Sequence, residues 1–114
     1  MSKRDAEAVG AFEEQVLLAV IRAGAEAYGM EVRRVIEEVT ERDVAIGAVY
    51  STLDRLEAKR LVQSRRIAGT DGSRRVFGVT TRGAQALADT RAVRDRLWRG
   101  VDLRALIGRA RSAT

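Results

Sequence analysis

The residues in this sequence best suited to chemistry are arginines, and the chemistry they suit is phosphate binding. Arg65, Arg66, Arg74 and Arg75 flank the stretch Ala68-Gly69-Thr70-Asp71-Gly72-Ser73, in which Asp71 is the single acid. A guanidinium offers a planar fork of N–H donors that matches the oxygens of a phosphate. Upstream, Gly47-Ala48-Val49-Tyr50-Ser51-Thr52-Leu53-Asp54-Arg55 combines small, hydroxylated and basic side chains. Small residues allow another surface to approach closely, and hydroxyls and arginine contact phosphates and base edges. The arginines have a second use, because charge also protects the exposed edge of a strand.

Other chemistries lack their reagents. The 114 residues include no histidine and no cysteine. This excludes Ser-His and Cys-His nucleophilic catalysis, removes the usual ligands of zinc and iron, and rules out disulfides. The carboxylates are scattered along helical patterns rather than gathered in one loop, so a hard-cation site is not expected. There is also no phosphate-binding loop, and an enzyme is the last of the function classes to consider. No cofactor is expected. The longest apolar run, Val16 to Ile21, is far too short to span a membrane. The charged N-terminus has no apolar stretch behind it, so no secretory signal is expected. A cytoplasmic protein is the resulting expectation.

Charge points the same way as the arginines. Lys and Arg number 21 against 16 Asp and Glu, a formal net charge of +5. Residues 82–111 hold eight arginines against three aspartates, whereas the acidic excess lies within residues 5–43. A regional positive charge favours an anionic partner, of which nucleic acid is the commonest.

Four helices, two strands and a last short segment are expected to position these groups. Residues 1–10 read as a flexible arm. Over 11–23, Phe12, Val16, Ala19, Val20 and Ala23 form one stripe, widened by Leu17, Leu18 and Ile21, with Gly24 as the stop. Over 28–40, Val32, Val35, Ile36 and Val39 are expected to face inward, with Met30 at the edge. A polar turn follows, in which Asp43 could cap the next helix. Over 45–59, Ile46, Val49, Leu53 and Leu56 step by three and four. This leaves Gly47, Ala48, Ser51, Asp54, Arg55 and Ala58 outside and Tyr50 to one side. The period then changes to that of strands over 61–67 and 75–79, joined by the glycine-rich tip. Thr80 or Thr81 should cap a helix over 82–99. On it Ala84, Leu87, Val93, Leu97 and Val101 lie near one another, with Ala88 and Trp98 alongside. Asp102 is placed to cap a last short segment containing Leu103, Leu106 and Ile107.

The order helix, helix, turn, helix, hairpin is that of a winged helix-turn-helix. The fold expected is mainly α with a small β-hairpin and a C-terminal dimerisation helix. Residues 1–80 would form the DNA-binding domain and 81–114 the dimerisation helix and tail. Within it, residues 16–83 resemble the PadR family of bacterial regulators. The resemblance lies in Val16-Leu17-Leu18-Ala19-Val20-Ile21 with Gly24, in Tyr28-Gly29-Met30-Glu31-Val32, and above all in Gly47-Ala48-Val49-Tyr50-Ser51-Thr52-Leu53-Asp54-Arg55-Leu56-Glu57. Leu61-Val62, Arg74-Arg75 and Val79-Thr80-Thr81-Arg82-Gly83 complete it. The sequence departs from the family pattern at four places. Ala45 and Ala48 stand where small hydroxyl residues are frequent, Arg60 where glycine is usual, and Phe77-Gly78 where an aromatic pair is common.

The resemblance implies a DNA-binding transcriptional regulator, here read as a dimeric repressor on a near-palindromic operator. It places the matching tyrosine, Tyr50, at the DNA surface. The DNA-contacting set drawn from motif and resemblance together is Tyr28, Gly47, Ala48, Tyr50, Ser51, Thr52, Arg55, Arg66, Ser73, Arg74 and Arg75. Arg55 is equally open to an ion pair within the protein. Phe12, Leu87, Val93, Leu97, Trp98 and Val101 are the dimerisation set. Some relatives hold planar ligands with aromatic residues of this helix, so Trp98 either packs the dimer or meets a small aromatic effector. A winged-helix protein-interaction module without DNA binding is the competing reading. It predicts that reversing the charge of Arg74 and Arg75 leaves activity intact.

Overall fold

A computed structural model describes residues 9–69 and 72–112 of the chain. The expected arm falls almost wholly outside them, as do Thr70 and Asp71 at the hairpin tip. Helix α1 spans Ala11–Ala23, α2 Gly29–Thr40 and α3 Ile46–Ala58. Strands β1, Val62–Gly69, and β2, Gly72–Val79, follow, then helices α4, Thr81–Trp98, and α5, Arg104–Ser112. A single 3₁₀ turn, Gly24–Glu26, links α1 to the entry of α2.

The core is aliphatic and lies where α1, α2 and α3 meet the base of the hairpin. Val16, Leu17 and Val20 of α1 close on Val32 and Ile36 of α2 and on Val49, Leu53 and Leu56 of α3. Leu61, Val62 and Phe77 complete the cluster. Helical periodicity placed these residues correctly, since side chains three and four apart share a face. It overreached at the rims. Val39 and Met30 are more than half exposed, because Val32, Val35 and Ile36 already fill the contact and the helix ends extend past it. Leu18 and Ile21 of α1 are likewise exposed.

The turn between α2 and α3 is fixed from α2 rather than by a cap on α3. Glu41 ends α2 in the left-handed region, φ 58°. The Val44 N–H donates to the Glu37 carboxylate at 2.8 Å, and Arg33 Nε donates to the Val44 carbonyl at 2.8 Å. The N-cap of α3 is Ala45, and no side chain caps it. The expected cap from Asp43 is therefore corrected: Asp43 lies two residues too early and points to solvent.

The hairpin is longer than its alternating pattern suggested. Pairing runs from Val62 opposite Val79 to Gly69 opposite Gly72, so Ala68, Gly69, Gly72, Ser73 and Arg74 belong to the ladder. Once strands are in register, backbone pairing continues up to the turn whatever the side chains are. Gly72, at φ 101°, provides the positive dihedral next to that turn.

Thr80 caps α4, its Oγ1 accepting the Gly83 N–H at 3.0 Å. The same hydroxyl donates to the Arg60 carbonyl at 2.7 Å, tying the start of α4 to the end of α3. Gly83 and Ala86 are buried, so the first turns of α4 belong to the core of the preceding unit. Residues 91–109 are exposed throughout. Asp102 accepts the Arg104 N–H at 3.0 Å, as expected of a cap for α5.

Candidate nucleic-acid interface

The outward side of α3 is small and polar. Gly47, Ala48, Ser51, Asp54, Arg55 and Ala58 are exposed along it, with Tyr50 at 40% exposure on its flank. A side chain built at Gly47 would meet nothing within 4 Å. Packing therefore gives no reason for glycine there, although glycine destabilises a helix by up to ~1 kcal/mol relative to alanine. Gly29 is the opposite case. A Cβ there would fall 2.3 Å from Tyr50 Cζ and 2.5 Å from its hydroxyl oxygen. The bare backbone of α2 is the seat on which the Tyr50 ring rests, and it holds the ring beside the first turn of α2.

Thr52 does not join this surface. It is 3% exposed, and its hydroxyl accepts a long hydrogen bond from Arg55 Nη2 at 3.4 Å. At 100° per residue it falls next to Leu56, at the border of the inner face, and the fold buries it there, so its assignment as a DNA contact is corrected.

Arg55 turns back toward α1. Its Nε lies 3.3 Å from Glu13 Oε2, and Lys59 Nζ lies 3.0 Å from the same oxygen. Glu13 also accepts the Gly10 N–H at the start of α1. Burial pushes the Glu13 carboxyl up, but the Gly10 N–H and the Lys59 and Arg55 cations together hold it below its ordinary value. Neither this acid nor its role as a link between α1 and α3 is legible in the sequence, because 42 residues separate Glu13 from Arg55.

The hairpin presents its arginines on two faces. Cross-strand register puts Arg66 opposite Arg75 on the face toward α3, and Ile67 opposite Arg74 on the other. Arg65, Arg66, Ser73 and Arg74 are exposed. Arg66 Nη1 lies 3.4 Å from Ser73 Oγ. The Arg74 guanidinium stacks 4.7 Å from the centre of the Tyr28 ring. The backbone of Tyr28 is the N-cap of α2 and bridges to Val76, so this residue joins the helix-turn-helix to the hairpin.

Arg75 is held within the protein. Its Nη1 donates to Asp54 Oδ1 at 2.9 Å, its Nη2 to the Glu57 carboxylate, and its Nε to Ser64 Oγ at 3.1 Å. It also lies over the buried Phe77 ring, 4.8 Å from its centre. The expectation of a DNA contact is corrected here: two carboxylates three residues apart on α3 meet this guanidinium first. The hydrogen bond from the Ser64 hydroxyl leads in holding the Glu57 carboxyl below its ordinary value. Burial works against it, and Arg75 adds to it. Asp54, Glu57 and Ser64 were missed as a unit. The signal that could have found them was the pair of like charges, Arg66 and Arg75, which must be offset if they face each other.

The dimerisation set divides. Leu87 is partly buried against the core, whereas Val93, Leu97, Trp98 and Val101 are 47–73% exposed. Phe12 is not with them. It borders a cavity with Thr40, Val44, Ala45 and Ala48, beside the start of α3, while α1 meets α4 through Glu14 and Leu18 on another side. Among the described residues no group of three acids could hold a metal ion. No helix there is long and apolar enough to cross a membrane.

The model of the transcriptional regulator PadR-like family matches residues 17–89, which run from α1 to the middle of α4. The chain belongs to the PadR-like family of transcriptional regulators. Solved structures agree on the fold of this PadR-like chain. H. salinarum RosR is similar at 21% identity and a TM-score of 0.67, covering 96% of this chain and 100% of its own. A PadR-like transcription factor from Bacteroides fragilis is similar at 23% identity and a TM-score of 0.64, covering 75% of this chain and 82% of its own. A PadR family regulator from Eggerthella lenta is similar at 22% identity and a TM-score of 0.63, covering 75% of each chain. No curated protein matches the sequence. Family membership makes the chain a transcriptional regulator rather than an enzyme.

Proposed function

We propose that this PadR-like regulator is a repressor that binds a near-palindromic operator as a homodimer, reading it with α3 and gripping it with the hairpin. The observation that carries the reading is Gly47, a glycine that no neighbour requires on the exposed side of α3. Ala48, Tyr50 and Ser51 continue that surface, and Arg65, Arg66 and Arg74 are exposed on the hairpin to neutralise phosphates. Tyr28 backs Arg74 by stacking. The exposed Val93, Leu97, Trp98 and Val101 supply apolar area for a second copy. Two-fold symmetry then sets two recognition helices about 34 Å apart, one helical turn of DNA. The same reading keeps the protein in the cytoplasm with its DNA. Trp98, the single tryptophan, either packs the dimer or meets a small aromatic effector.

The test separates stability from binding. Gly47→Gln adds a side chain where the protein has room, so its melting temperature should hold or rise. Its affinity for the DNA upstream of its own gene, measured by fluorescence anisotropy, should fall by about tenfold or more. Wild-type affinity in the glutamine variant would end the proposal, as would wild-type binding that does not weaken with salt.

A further inference from the structure

We propose that Arg75 is a positioning residue that never touches DNA: it locks the wing to the recognition helix and neutralises the two carboxylates which that helix carries beside its reading face. The inference rests on the DNA-binding reading above and adds to it a division of labour among the wing arginines.

The geometry shows where this guanidinium is committed. Nε, Nη1 and Nη2 each donate to a different residue, Ser64, Asp54 and Glu57. Glu57 is itself fixed by the Ser64 backbone N–H at 2.8 Å and by the Ser64 hydroxyl at 2.7 Å. Strand β1, strand β2 and helix α3 thus meet in one closed set of charge-assisted hydrogen bonds, above the ring of Phe77. Three of its five N–H donors are thereby committed inside the protein, and swinging the guanidinium out to a phosphate would break these bonds. Arg66, directly opposite on the same strand face, is exposed and makes one long contact to Ser73. Two arginines paired across strands repel unless one is compensated, and Asp54 and Glu57 compensate Arg75.

The compensation also works in reverse. Asp54 lies on the exposed side of α3, in line with Gly47 and Ser51. Without Arg75 it would face the phosphates of bound DNA as a bare anion, with Glu57 close behind. Arg75 therefore contributes to binding by removing a repulsion and by setting the angle of the wing. Arg66 and Arg74 contribute by displacing counterions.

Salt dependence distinguishes these roles. Each phosphate contact adds about 0.9 to the slope of log affinity against log salt. Arg66→Ala is expected to lower the slope by about that amount. Arg75→Ala is expected to weaken binding by about tenfold with the slope unchanged. Adding Asp54→Asn and Glu57→Gln to Arg75→Ala should recover most of the lost affinity. Arg75→Lys keeps the charge without the fork and serves if the alanine variant fails to fold. It should retain the slope and bind more weakly than wild type. A slope lowered by about 0.9 in either Arg75 variant, or affinity equal to wild type, overturns the proposal. Amide hydrogen exchange without DNA tests the lock on its own: Arg75→Lys should speed exchange over residues 62–79. Unchanged exchange there overturns the lock. If the wild-type protein binds no DNA, the repressor reading falls, and exchange alone decides whether Arg75 holds the wing.

Discussion

Arg60 stands where the chain leaves α3, and its backbone is in the left-handed region at φ 65°. The helix ends there in a full Schellman closure. The Leu61 N–H reaches the Leu56 carbonyl at 2.9 Å, and the Arg60 N–H reaches the Glu57 carbonyl at 2.9 Å. None of these bonds, nor the one from Thr80 to the Arg60 carbonyl, uses a side-chain atom of residue 60, so glycine would retain them all. An L-residue in this conformation is disfavoured by about 1–2 kcal/mol. Glycine relieves that strain but has about 0.5–1 kcal/mol more freedom to lose on folding. Arg60→Gly is therefore expected to stabilise the protein by about 0.5–1 kcal/mol. At about 2 cal/mol/K per residue of unfolding entropy, this raises the melting temperature by about 2–4 °C. The assay is thermal unfolding followed by circular dichroism at one fixed protein concentration, since self-association would make the midpoint depend on it. Arg60→Ala is the control, because alanine suffers the same left-handed strain and should give no comparable rise. A glycine variant no more stable than wild type would refute the strain argument. Equal gains from alanine and glycine would refute it too, because relief of charge would then explain both.

Two further outcomes follow from the packing and the carboxylates. Gly83→Ala would place a Cβ 2.1 Å from the Leu61 carbonyl oxygen, a backbone atom that cannot swing aside. It should destabilise the fold by about 3 kcal/mol or more, visible as a lowered midpoint in urea. Glu13 and Glu57 are both held below the ordinary carboxyl value of 4.5 in the folded protein. The stability they contribute is present above about pH 4.5 and is lost as pH falls through their lowered values. Glu13→Gln should therefore lower stability by about 1–2 kcal/mol at pH 7, with the gap to wild type closing as the pH is taken below 4.5. A gap that does not narrow as the pH falls would show that the carboxylate charge plays no part.

Periodicity alone located α1 residue for residue, and α2, α3 and α4 to within a residue or so at each end, because burial of one helical stripe is written directly into residue order. The change to strands, the glycine-bearing tip and the threonine cap of α4 were legible for similarly local reasons. So was the outward set Gly47, Ala48 and Ser51, since it is the complement of the apolar stripe. What the sequence could not determine was the fate of each charge. Arg66 and Arg75 are the same residue type on the same strand face, and only the fold brings Asp54 and Glu57 to one of them. Arg55 reads as an outward cation until the fold carries Glu13 to it across 42 residues. Thr52 went astray for a related reason: it lies at the border of a stripe, where a neighbouring element decides which side is covered. Side-chain periodicity is a local property that each helix or strand shows on its own. Ion pairing depends on distance between elements, and that distance exists only once the helices and the hairpin have packed.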